Sequence, residues 1–173
     1  MIESMLALTI GAVLIASGLP AFSTMQDKSR LTTAAETLRN DFHYAINEVR
    51  LEGNREMIHL SFNSDGRTDW CYGLTIGDSC DCRVDNAARP DACIIPVDGR
   101  NELRVVNSAD FDHVVRMPDV QFEKNRARIV ASRSPSQAGK VSFSAAGRQI
   151  DVALTPMGRV RLCSSANADF GSC

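Results

Sequence analysis

The rhythm of apolar and polar positions changes twice along this chain of 173 residues. From Met5 to Phe22 there is no charged residue. Eighteen helical residues at ~1.5 Å each span about 27 Å, close to the hydrocarbon core of a bilayer. No Lys or Arg precedes the run, only Glu3, so charge asymmetry assigns it no orientation and it lacks the basic n-region of a cleaved secretory signal. From Leu31 the pattern becomes one-sided. Leu31, Ala34, Ala35, Leu38, Phe42, Ala45, Ile46 and Val49 recur at helical spacing and form one apolar stripe. Arg30, Glu36, Arg39, Asp41, Glu48 and Arg50 are assigned to the opposite face. Gly53 is a suitable stop. The two patterns run on without a break and predict one helix over about residues 3–52. Pro20 lies inside it, removes a backbone hydrogen bond and bends or locally opens the helix.

Beyond Gly53 the period shortens to that of strands separated by turn residues. "EMIHLSFN", "WCYGLTIG", "ELRVV", "HVVRM", "VQFEK" and "ARIVAS" are strand candidates. The end is clearest: "KVSFS", "QIDVAL" and "RVRLC", joined by "AAGR" and "TPMG", read as an antiparallel meander. The expected architecture is α+β, a long N-terminal helix packed on antiparallel sheet. Residues 1–27 form an apolar helix half. Residues 28–173 form a globular part, made of an amphipathic helix half over 28–52 and a β-rich portion over 53–173.

Six cysteines, at 71, 80, 82, 93, 163 and 173, all fall in the β-rich portion. An even number in loop-like sequence suits an oxidising compartment. Zinc is a poor fit for the first four, because Cys80-x-Cys82 replaces the usual C-x₂₋₄-C knuckle. A Cys80–Cys82 bond is sterically poor, which leaves two pairings. The sequence favours Cys71–Cys80 with Cys82–Cys93 over Cys71–Cys82 with Cys80–Cys93. Cys163–Cys173 is expected to close the C-terminal tail, worth roughly 2–3 kcal/mol in the chain-entropy account.

The net charge is −2, which excludes a general polyanion binder, but its distribution is uneven. Residues 121–173 hold eight Lys/Arg against three acids. Within them, "GRVR" (Gly158 to Arg161) sets Arg159 and Arg161 two apart on a strand, hence on one face. Two adjacent guanidiniums suit a phosphate, and Arg148 and Lys140 extend the patch. The competing reading of these arginines is a solvated or acid-paired surface. His43, His59 and His113 stand outside any metal-ligand spacing, and no nucleophile, P-loop or dinucleotide motif occurs. No cofactor, metal or enzymatic activity is expected.

An apolar helix that becomes amphipathic, with "IES" at its front and Pro20 near the end of its apolar run, resembles type IV pilins and pseudopilins. The family's basic leader, its peptidase-site glycine and its first two mature residues are absent before Ile2. Under the resemblance, this sequence therefore begins inside the mature helix. "AINEVRLEGNREMIHLSF" (Ala45 to Phe62), Trp70, "GRVR", Cys163 and Cys173 resemble the GspH/FimT branch of minor pilins. The resemblance implies a pilin-like fold in a single-pass inner-membrane protein with a periplasmic domain that later joins an extracellular filament. It implies that Glu3 neutralises the N-terminal amine of a neighbouring subunit, since a charge in an apolar bundle needs a partner. Ala7, Gly11 and Gly18 would allow close helix approach to other major or minor pilins. In relatives of this branch a Gly-Arg-x-Arg strand is associated with double-stranded DNA capture for transformation, which here implicates Arg159 and Arg161. The alternative is a tip pseudopilin of type II secretion, which binds pilin-like partners and no DNA.

Overall fold

A computed structural model describes the backbone helix over residues 2–51, with side chains from residue 22, and residues 57–64, 68–97, 100–130, 136–164 and 170–171. Helix α1 (Ile2–Leu51) is followed by β1 (Met57–Ser64), β2 (Trp70–Thr75), β3 (Ile94–Val97), β4 (Arg100–Leu103), β5 (Val105–Asn107), β6 (Arg116–Val120), β7 (Arg126–Val130), β8 (Gly139–Ala145), β9 (Arg148–Leu154) and β10 (Val160–Cys163). Two four-stranded antiparallel sheets have the orders β5-β2-β1-β7 and β10-β9-β8-β6, and β3 and β4 form a separate hairpin. The class is α+β, with one helix packed on antiparallel sheets.

α1 is fifty residues long, about 75 Å at the usual rise. The stripe expected from the sequence is the buried stripe: Leu31, Ala34, Ala35, Leu38, Phe42, Ala45, Ile46 and Val49 all join the main core. Upstream of it, Phe22 and Met25 are exposed. The helix assignment continues through position 20. At Glu3, Ala7, Gly11, Gly18 and Pro20 only the helical backbone is described, and Gly53 lies outside the described residues. Among the described residues no helical segment is long and apolar enough to cross a membrane.

Asp41 departs from the expected outward face. It follows Leu38 by three residues and precedes Ala45 by four, so it flanks the stripe and does not oppose it. Its side chain is buried, accepts hydrogen bonds from the Tyr72 hydroxyl and from Arg104 Nη2, both at 2.8 Å, and ties the helix to the first sheet.

β1 and β2 form at "EMIHLSFN" and "WCYGLTIG" as expected, with Ile58, Leu60, Phe62, Trp70, Tyr72 and Leu74 in the core. Trp70 stacks near Tyr72 and Phe111, meets Phe143 at 5.2 Å between centroids, and donates its indole N–H to the Val115 carbonyl at 2.7 Å. It therefore joins the two sheets, and a fully buried aromatic contributes on the order of 3 kcal/mol. The final meander forms as read, in the continuous registers β8–β9 and β9–β10. Three strand expectations shift. "ELRVV" is divided at Arg104 between β4 and β5. "HVVRM" starts late, because Asp112 and His113 take left-handed dihedrals before β6. Of "VQFEK" only Val120 is in a strand, at the end of β6, since Lys124 and Asn125 are left-handed inside a short 3-10 turn. β3, over "IIPV", was not among the candidates.

The disulfides are Cys71–Cys82 and Cys80–Cys93, not the favoured Cys71–Cys80 with Cys82–Cys93. The physical reason is the return path of the chain. After β2 the backbone folds back over the sheet's outer face, where the Cys80 N–H donates to Ser61 Oγ, and Ser61 pairs with Gly73. Cys80 thus stands over the Gly73 row, and Cys82, two residues on, stands over Cys71, two residues back. Cys93 lies directly on Gly73, where a Cβ would overlap its Sγ. Cys163 is disulfide-bonded, and its expected partner Cys173 lies outside the described residues.

Candidate nucleic-acid interface

The Gly158–Arg161 motif is held by a tight connection between β9 and β10. The Thr155 N–H donates to the Arg159 carbonyl at 2.9 Å, and the Gly158 N–H donates to the Thr155 carbonyl at 2.9 Å. The Arg159 N–H donates to Thr155 Oγ1 at 3.1 Å. Pro156 presets the first turn dihedral. Gly158 has φ +73°, a left-handed value that favours glycine. Arg159 leaves this turn one residue before β10 begins. Arg159 and Arg161 are exposed and Val160 between them is buried, so the two guanidiniums share the outward face. Neither forms an ion pair among the described residues.

Arg161 stands opposite Ala153, and Ala153 stands opposite Lys140. Directly paired residues share a face, so Lys140 joins the row of Arg161. Its charge is already engaged, however, because Nζ lies 3.0 Å from Asp151 Oδ2. Burial alone would raise the Asp151 carboxyl. Hydrogen bonds from Gln149 and Lys140 outweigh that and hold it below the usual carboxylate range. Arg148 does not join the group. It opens β9, six residues before Leu154, or about 20 Å from the turn at strand rise. It also falls in the alternation of Ile150, Val152 and Leu154, which face the core.

Two further basic features were missed in the sequence. Arg50, in the last turn of α1, brings Nη2 within 3.8 Å of where a Cβ on Gly158 would sit. It is exposed, has no ion pair among the described residues, and adds a third cation at the Gly158 turn. Helix periodicity places Arg50 on the polar face but cannot say that the face ends against this turn. The second feature is a cleft of about 560 Å³ on the outer face of the first sheet, lined by His59, Lys124, Arg126 and Arg128 together with Asp78 and Glu123. Arg126 and Arg128 are two apart on β7, a pattern as visible as "GRVR". Arg126 donates to the Asp78 carbonyl at 2.7 Å, and His59 Nδ1 lies 2.7 Å from the Gly77 carbonyl. The two carboxylates at this cleft lower its appeal to an anion. The cleft's Ser136 donates its N–H to the Pro156 carbonyl and the adjacent Gln137 donates to the Arg128 carbonyl. The β9–β10 turn therefore abuts this cleft.

Among the described residues no group of three His, Cys, Asp or Glu side chains is placed to hold a metal ion. No family model matches the chain, and neither a curated protein nor a solved structure does. The site is therefore read from its own geometry. Arg159 and Arg161, with Arg50 at the same turn, make an exposed cationic edge suited to phosphate oxygens through charge and fork geometry.

Proposed function

We propose that this chain is a non-catalytic, minor-pilin-like filament subunit that binds double-stranded DNA through Arg159 and Arg161. The observation that carries the DNA part is the pair of exposed guanidiniums on one face, without an ion pair among the described residues, with Arg50 beside the same turn. Phosphate contacts of this kind supply affinity without reading sequence. The filament part is supported by the division of α1, whose stripe over residues 31–49 is spent on the sheets while a charge-free run precedes it. That run waits in the inner membrane and then enters a bundle of like helices in the pilus, with Glu3 paired to a neighbouring subunit.

The test is DNA binding by the full chain over a salt series. Arg159→Ala with Arg161→Ala is expected to weaken binding and to reduce the slope of log K against log salt by about 1.8, at ~0.9 for each phosphate no longer neutralised. Assembly is expected to continue in that variant. An unchanged affinity and slope would refute the DNA role. For the filament part, Glu3→Ala is expected to leave membrane insertion intact and to impair incorporation. Normal incorporation of that variant counts against the pairing of Glu3.

A further inference from the structure

Arg148, separated from Arg159 and Arg161 by the length of β9, has a different neighbour. It lines an open cleft of about 540 Å³ with Arg116, Val114, Ser144, the Ala146–Gly147 turn and Gln149. Arg116 begins β6 opposite Ser144 of β8, and Arg148 begins β9 opposite Ala145. The tight β8–β9 turn, left-handed at both Ala146 and Gly147, brings the two arginines to one end of the second sheet. The mouth is open at that turn, where a Cβ on Gly147 would meet nothing within 4 Å.

The charge balance sets this cleft apart from the one beside β7. Among the described residues two guanidiniums line it, and no carboxylate does. Neither arginine has an ion pair among the described residues. Gln149 turns its amide away to Asp151 Oδ1 at 2.8 Å, and that carboxylate also holds Lys140. A concave site with charge of one sign focuses its field outward. Two forked donors match the oxygens of a tetrahedral anion.

We infer that the Arg116–Arg148 cleft is a second phosphate site, which holds the backbone of the same duplex that Arg159 and Arg161 engage. This rests on the nucleic-acid reading above. The two sites stand at opposite ends of β9, about 20 Å apart at strand rise. At ~3.4 Å per base pair that separation corresponds to about six base pairs of duplex. A polymer with a phosphate at every nucleotide reaches both ends at once, whereas a single carboxylate or free phosphate reaches one.

The experiment uses the full chain and a fluorescently labelled 24-base-pair duplex, with binding followed by anisotropy from about 50 to 300 mM salt. Arg116→Gln with Arg148→Gln is expected to lower the slope of log K against log salt by about 1.8, and Arg116→Gln alone by about 0.9. Arg116→Lys with Arg148→Lys is expected to retain the slope, because the charge remains. Combination with Arg159→Ala and Arg161→Ala is expected to lower the slope further by a similar amount. If the wild-type chain binds, and the slope falls in the Arg159–Arg161 variant but not in the Arg116–Arg148 variants, the second site is overturned and the first stands. Equal loss of slope in the lysine and glutamine pairs also overturns it, since charge would then not be the cause. If the wild-type chain does not bind the duplex at all, both readings fall.

Discussion

Replacing Asp41 by Ala tests the anchor between helix and sheet. Asp41 is 2% exposed and receives one hydrogen bond from the buried Tyr72 hydroxyl and one from Arg104. Removing the carboxylate leaves that hydroxyl without its acceptor, at a cost of about 1–3 kcal/mol. Arg104 is half exposed, with 52% of its side chain accessible, and it lies over the Tyr44 ring. It rehydrates when its partner is removed, so its share is only about 0.5–1 kcal/mol. The expected loss is therefore roughly 1.5–4 kcal/mol, or about 3–16 °C in Tm at 2–4 °C per kcal/mol for a chain of this size. Tyr72→Phe, which removes the donor and leaves the carboxylate with Arg104, is expected to cost about 1 kcal/mol. The assay is urea unfolding of the full chain with its disulfides intact, with unchanged m-values required before midpoints are compared. A midpoint for Asp41→Ala that corresponds to less than ~0.5 kcal/mol of change, the range of an ordinary surface substitution, would refute the anchor.

The same contact predicts alkaline sensitivity. Burial first, and then the neighbouring Asp41 charge, push the Tyr72 phenol well above its ordinary value of 10.0. The folded state therefore holds the neutral form, so stability is fully present below pH 10 and declines as pH rises above it, and the decline should shrink in Tyr72→Phe. Gly73→Ala places a methyl group against Cys93. It is expected to destabilise by at least about 2 kcal/mol, at the upper end of overpacking costs, and to raise the yield of free thiol at Cys80 and Cys93, measured by thiol labelling of the non-reduced protein.

The parts of the fold legible in the sequence were those set by local periodicity. The stripe from Leu31 to Val49 was readable because each of its members needs the same burial. The β8–β10 meander was readable because its turns carry Gly147 and Gly158 at left-handed positions. Asp41 was misread because a position at the margin of a stripe is polar or apolar according to what the sheet offers it, and here the sheet offers Tyr72 and Arg104. The cysteine pairing was misread because it depends on the return path of the loop over Ser61 and Gly73, which spacing alone does not carry. Arg148 was grouped with Arg159 and Arg161 by nearness in sequence, yet a seven-residue strand sets them at opposite ends of a sheet. Arg50 and Arg116 were passed over because their partners come from elements remote in sequence.

The overlapping disulfide bridges have a consequence for resistance to proteolysis. Had Cys71 joined Cys80 and Cys82 joined Cys93, a protease cut on either side of Asp81 would have severed the chain there. With Cys71–Cys82 and Cys80–Cys93 the two covalent rings share the segment from Cys80 to Cys82. A single cut anywhere between Cys71 and Cys93 then leaves the two parts joined by at least one sulfur bridge. The exposed, turn-rich segment from Ile76 to Asp91 can be nicked without the protein coming apart.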